Sequence, residues 1–251
     1  MKNMDAFLQF LSEYYLLIIL GIIIIFVLAG IIIANYSYEN FSDEFEKAKQ
    51  TISGFNGSAV DLANFISYKK FNREISVNVF EKKPNTSNGS YVPAKRMVNI
   101  SNELANSNSI ASIAITSHEF GHACQHYENP KLLERNYKLS KAVHILGLLN
   151  WPLFIIAVIM LFTDYFQFTL ICLGMIILVF IFALTLKYLT IKIEKDASKR
   201  AIKLLQELEL FSNKEINQVK KLLKSAKSTY IGDFFRALFS WTGMTHKTKI
   251  F

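Results

Sequence analysis

Apolar residues gather into three long blocks along this chain, and between them charged and apolar positions alternate at short range. Residues 16–34, 145–163 and 165–186 contain no charged side chain. About 20 apolar residues suffice for a helix to cross the hydrocarbon of a bilayer, so each block predicts a transmembrane helix. Asn150 and Pro152 interrupt the second block, and only Asp164 separates it from the third, which predicts a tight helical hairpin over residues 144–188. The first block follows a short N-terminal segment, residues 1–15, and reads as a retained anchor. Its apolar core exceeds the roughly 7–15 residues of a cleavable signal, and no clean A-x-A site follows it.

The polar stretches carry their own periods. Phe41, Phe45, Ala48 and Ile52 recur at helical spacing, residues 53–58 form a loop signal, and Ser58 is placed to cap a second helix reaching about Tyr68. The period then changes: Ile75, Val77 and Val79 alternate with polar neighbours, residues 84–90 are rich in turn formers, and residues 97–100 read as a returning strand. A small β-hairpin is therefore expected just before a helix spanning residues 109–127, whose apolar face includes Ile110, Ile113 and Ala114. An exposed edge of that hairpin could pair with an extended peptide. The fold class expected is a predominantly α-helical integral membrane protein.

Composition sharpens the class. The chain is 51% hydrophobic and 19% charged, too apolar for an ordinary soluble domain. Its formal net charge of +8 is spread along the sequence without a basic and aromatic module, so nucleic acid is not an expected partner. Lysines crowd the segment after the third block, at 187, 192, 195, 199 and 203 with Arg200, whereas the hairpin tip carries only Asp164. The positive-inside rule then places residues 35–143 and 189–251 in the cytoplasm and the N-terminus outside. Cys124 and Cys172 are too few for a disulfide framework and read as small buried residues. An aromatic segment from Tyr230 to Trp241 suggests an interfacial helix.

The chemistry lies at His118-Glu119-Phe120-Gly121-His122, a complete HExxH signature. Residues four apart share one helix face, with Cβ atoms about 5–6 Å apart, so His118 and His122 can bind one Zn²⁺ per chain. Glu119 falls beside the metal, where its carboxylate can take a proton from water that the metal activates. Gly121 removes a side chain where another backbone could pass. His126 continues the histidine face one turn further on and is assigned an outer or substrate-contacting role. The extended HExxHxxGxxH pattern fails, because Gln125 and Glu128 stand at its last two positions. A third ligand is therefore sought as an acid from another helix. Glu194 in the run Glu194-Lys195-Asp196-Ala197-Ser198-Lys199-Arg200-Ala201, at the start of a helix just beyond the third block, is the candidate. Asp196 lies about 200° around the helix, where it would orient a histidine or pair with Arg200. Which of the two acids ligates is left open at this level.

The run from Ser109 to His126 resembles the zinc helix of the bacterial YugP-type neutral zinc metallopeptidases. The run Ile193 to Ala201 is similar to that family's second motif, V-E-F-D-A-S-x-R-A, which follows a transmembrane hairpin. The resemblance covers roughly residues 99–241. It implies a zincin-like peptidase of the cytoplasmic membrane acting on polypeptide, with His118, His122 and the Glu194 region at the metal and Glu119 as base. Two positions depart: Asn88 to Pro93 stands where the family carries an L-T-D-H-Y-D-P-like segment, and Lys195 replaces an aromatic residue. Two other readings compete. A site-2-type intramembrane protease expects its HExxH inside a span and a later D-G motif inside another. A non-catalytic zinc-binding scaffold expects the ligands without working chemistry. The sequence leaves substrate specificity and oligomeric state undetermined.

Overall fold

A computed structural model of the chain describes residues 2–83, 87–163 and 166–239. The molecule is mostly helical with one small sheet. In chain order it runs α1 (Lys2–Gln50), α2 (Ala59–Phe71), β1 (Ser76–Phe80), β2 (Gly89–Val92), β3 (Met97–Ser101), α3 (Asn102–Ala105), α4 (Ile110–Glu128), α5 (Pro130–Leu148), α6 (Asn150–Leu161), α7 (Phe166–Leu208) and α8 (Asn213–Phe239).

Local chemistry accounts for several of the helix ends. Ser58 caps α2 in a reciprocal capping box with Asp61, and α2 stops where Asn72 takes a left-handed conformation (φ 47°). Ser109 accepts the Ser112 N–H at the start of α4. Ser212 and Glu215 exchange the same reciprocal bonds at the start of α8, and the other Glu215 oxygen accepts the Gly54 N–H at 2.6 Å. One side chain thus fastens α8 to the loop leading into α2.

The sheet corrects the expected hairpin. β1 and β3 are parallel, with Val77 opposite Val98, and β2 is the antiparallel neighbour of β3, giving the order β1-β3-β2. The short turn Pro93–Lys95, closed by left-handed Arg96 (φ 46°), reverses the chain immediately before Met97. The hairpin is therefore β2–β3, and the polar residues after β1 carry the chain to the far side of β3. Gly89–Val92 lacks the alternation of a half-buried strand, which is why the pattern did not mark it.

Two helices are longer than their apolar blocks. α1 continues unbroken from the first block through Gln50, with Phe41, Phe45 and Ala48 on the core; Ile52 lies beyond the helix, exposed, bridged to Ser109. α7 likewise runs from the third block into the charged segment, so Glu194 sits inside a continuous helix rather than at the start of a new one. By length and composition α7 can cross a membrane, its most apolar stretch having mean hydropathy 2.8. The second block is not one helix. α5 ends at Leu148 and α6 covers only 12 residues, because Pro152 offers no N–H to the carbonyl four residues back. The hairpin tip at Asp164, together with Trp241 and His246, lies outside the described residues.

The main core surrounds α4. Ile110, Ile113 and Ile115 are fully buried against Leu62 and Ile66 of α2, Val98 and Ile100 of β3, Leu205 of α7 and Leu222 of α8. Each such side chain contributes about 1.5–3 kcal/mol of burial free energy. The HExxH helix is thus held from every side before any metal binds.

Candidate metal centre

α4 and α7 cross at Gly121. A Cβ built there would lie 2.2 Å from the carbonyl oxygen of Ala197, so only glycine permits this approach. The contact is backbone against side chain, with no rotamer to relieve it. Gly121→Ala is expected to destabilise the fold by at least the ~1–3 kcal/mol typical of overpacking, and to weaken zinc binding as the helices part. Unfolding midpoints and chelator competition measure the two effects; a variant unchanged in both would contradict this account of the crossing.

The crossing presents one face of α7 to the histidines. Glu194 and Ser198, four residues apart, both reach His118: Glu194 Oε2 lies 3.1 Å from Nε2, and Ser198 Oγ lies 3.3 Å from Nδ1. The same Glu194 oxygen is 3.4 Å from His122 Nε2. Donor atoms of His118, His122 and Glu194 all lie within 4.8 Å of one another. Tetrahedral zinc at bonds of about 2.0–2.1 Å separates its ligand atoms by about 3.3–3.4 Å, so the two His–Glu separations match edges of that polyhedron, and the nitrogen and oxygen donors suit zinc. The residues present fit the ion.

The remaining nitrogen of His122 is also fixed. Gln125 Oε1 accepts from Nδ1 at 3.0 Å, while Gln125 Nε2 donates to Ile193 O and to Asp196 Oδ2, each at 2.8 Å. Arg200 Nε donates to the same Asp196 oxygen at 2.7 Å, and its Nη1 reaches Glu128 Oε1 at 2.6 Å. Asp196 therefore acts on His122 through Gln125, whose two amide ends leave Nε2 of the ring free to face Glu194. Gln125 drew notice in the sequence only as a departure from the extended motif, and it is a structural member of the site. A cavity of about 190 Å³ borders Gln125 and Asp196 on the α5 side and does not open onto the three donors.

Glu119 is 3% exposed, and Gly89 of edge strand β2 lies against its side chain, a Cβ there falling 3.2 Å from Glu119 Cγ. Burial raises its pKa, opposed by the two histidines. His126 is not among the converging donors; its Nδ1 lies 2.8 Å from the Tyr91 hydroxyl. His144 is on α5, but its side chain lies outside the described residues. Cys124 and Cys172 are free thiols. On α8, burial followed by the Glu194 and Glu119 carboxylates holds the Tyr230 phenol well above its ordinary pKa. The sequence grouped Tyr230 with an interfacial aromatic segment; nothing local marks a residue that meets the site from a separate helix.

Charge in the metal-free site is polarised. Burial alone would lower the His122 pKa, but the Glu194 carboxylate and its hydrogen bond raise it to about 9. Burial would raise Glu194, and the two imidazoles hold it well below the carboxylate range. The raised His122 pKa contributes stability that is complete below its ordinary 6.5 and lost as pH rises through about 9. Zinc requires the neutral ring. Zinc binding at pH 7 is therefore expected to release about one proton from His122, a release that vanishes above pH about 9. Calorimetry in buffers of different ionisation enthalpy reads this directly, and buffer-independent heats at pH 7 would refute it.

Residues 22–246 match the family model described as "Putative neutral zinc metallopeptidase". Among curated proteins the chain is similar to "Putative membrane protease YugP" of Bacillus subtilis (strain 168), at 30% identity over 149 residues. That alignment covers 59% of this chain and 63% of the relative's length. No solved structure matches. The family match runs through α4, α7 and α8 alike, so the helices that assemble His118, His122 and Glu194 lie within it, and the chain belongs to this family of neutral zinc metallopeptidases.

Proposed function

We propose that this protein is a membrane-anchored zinc metallopeptidase that hydrolyses peptide bonds at the cytoplasmic membrane face. The observation that supports it most is the placement of buried Glu119 beside three donors that fit zinc. Zinc bound by His118, His122 and Glu194 supplies Lewis-acid activation of water and of the scissile carbonyl. Glu119 takes the proton of the attacking water and returns it to the leaving amine. Gln125 and Ser198 hold the two imidazoles in the orientation that keeps both Nε2 atoms on the Glu194 side. β2 is an edge strand whose Gly89 lies against the Glu119 side chain, so an extended substrate laid along it would pass the general base.

Membrane anchoring is supported by α7 and by large apolar side chains exposed along three helices. Ile25 and Ile32 on α1, Ile155 and Ile159 on α6, and Leu170 and Ile177 on α7 are all more than half exposed. Water opposes such a surface and lipid accepts it. The relative's description as a membrane protease agrees with this. A site-2-type arrangement is disfavoured because α4 packs against α2, the sheet and α8. The lysines after the third block favour a cytoplasmic site.

The test is the full chain reconstituted in vesicles with zinc and a casein-like substrate. Hydrolysis is expected, abolished by chelation and restored by zinc. Impermeant labelling of cysteines placed at Asn88 and Asp164 in cells is expected to mark only Asp164. A zinc-loaded protein without peptidase activity would overturn the enzymatic reading, and labelling at both positions would overturn the orientation.

A further inference from the structure

Resting on the membrane-anchored reading, we propose that the cavity between α5 and α7 binds the phosphoglycerol headgroup of an anionic phospholipid. Arg135 and Asn136 of α5 line it, with Leu189, Lys192, Ile193 and Asp196 from one face of α7. Its volume of about 190 Å³ falls below the roughly 300–1,000 Å³ of pockets that enclose a drug-sized ligand. A headgroup fits such a space and leaves its acyl chains outside.

The lining supplies what that headgroup needs. Its one carboxylate is already engaged: Asp196 Oδ2 accepts from Arg200 Nε at 2.7 Å and from Gln125 Nε2 at 2.8 Å. Among the described residues neither Arg135 nor Lys192 has a carboxylate partner, and the Lys192 ammonium lies 4.5 Å from the Tyr188 ring. Two cations therefore border the cavity without an anion of their own. Phosphate oxygens accept from both, and a guanidinium holds two such oxygens at once. Asn136 Oδ1 is buried and accepts no hydrogen bond from any described residue. A hydroxyl beside the phosphate, as glycerol carries, would donate to it.

The position of the cavity along α7 favours a lipid over a soluble phosphate. The third uncharged block ends at Leu186, where Leu139 of α5 packs against Leu186 and Ala183. On an upright helix, a rise of about 1.5 Å per residue puts Leu189 and Lys192 about 4.5 and 9 Å beyond Leu186. The headgroup layer is about 5–7 Å thick on each side of the hydrocarbon. Leu189 and Lys192 thus bracket headgroup depth, with exposed Tyr188 beside them, an aromatic of the kind that gathers at membrane interfaces. Basic pockets between spanning helices at the cytoplasmic side suit anionic headgroups.

The test is native mass spectrometry of the full-length zinc-loaded protein, released from neutral detergent after incubation with phosphatidylglycerol. One phosphatidylglycerol per chain is expected to be retained, whereas phosphatidylcholine is lost. The double variant Arg135→Gln, Lys192→Gln should bind about 30-fold more weakly, the effect of losing two cations near a headgroup. The double variant Lys195→Gln, Lys199→Gln removes the same charge from α7 outside the cavity and should stay within about threefold of wild type. Leu189→Trp keeps every charge, fills the cavity and should also lose the lipid. Unchanged zinc content verifies the fold of each variant. Equal losses in the two double variants overturn the proposal, as does retention unaffected by Leu189→Trp. Displacement of the lipid by glycerol phosphate or inorganic phosphate at equal concentration overturns the lipid as ligand. A chain recovered in the soluble fraction of lysed cells overturns the membrane reading and this proposal together. A membrane-bound chain that retains no phosphatidylglycerol overturns this proposal alone.

Discussion

Replacing Glu119 with glutamine is expected to leave zinc bound and to reduce peptide hydrolysis by about 10²–10⁴-fold, the usual contribution of a positioned general base. The substitution is nearly isosteric, so β2, which packs on this side chain at Gly89, should keep its place beside α4. What disappears is a basic oxygen. Glu119 has almost no contact with solvent that might substitute for it, being 3% exposed. Metal content and turnover on the same purified sample separate the two effects. Near-normal turnover by a zinc-loaded Glu119→Gln protein would remove Glu119 from the mechanism.

Glu194→Ala should release zinc almost as completely as the double substitution of His118 and His122. It removes the one oxygen that meets both Nε2 atoms, at 3.1 and 3.4 Å, and a binding site with two imidazoles remains. Asp196→Ala should be milder, about 10–100-fold in affinity or activity, because its carboxylate acts on His122 only through Gln125. Glu207→Ala provides the comparison. Its carboxylate pairs with Lys70 at 2.7 Å on an exposed surface, where ion pairs contribute little. Chelator competition on the three proteins ranks them. If Asp196→Ala releases zinc while Glu194→Ala retains it, the ligand assignment must be exchanged.

The second motif shows where sequence reasoning stops. Its nine residues serve several purposes: Glu194 and Ser198 face His118, the Ala197 carbonyl packs on Gly121, Asp196 and Arg200 form an outer pair with Gln125 and Glu128, and Ala201 is buried. The 100° step between helical residues predicted that Glu194 and Asp196 point apart. It did not say which one points at α4. The same limit applied to the strands. The alternation of β1 and the presence of β3 were visible, but their parallel pairing depended on where the left-handed turn at Arg96 reversed the chain.

By itself the sequence determined what repeats within a few residues. It specified the histidine pair one turn apart, the carboxylate beside it, the need for a bare position at 121, the serine caps, and the apolar blocks. Each follows from the fixed rise and rotation of a helix, or from the length a bilayer demands. The tertiary structure alone decided which acid joins the histidines and that Gln125 carries Asp196 to His122. Those contacts join residues on separate helices, and their alignment depends on packing at Gly121 and along α1, where no local period reaches.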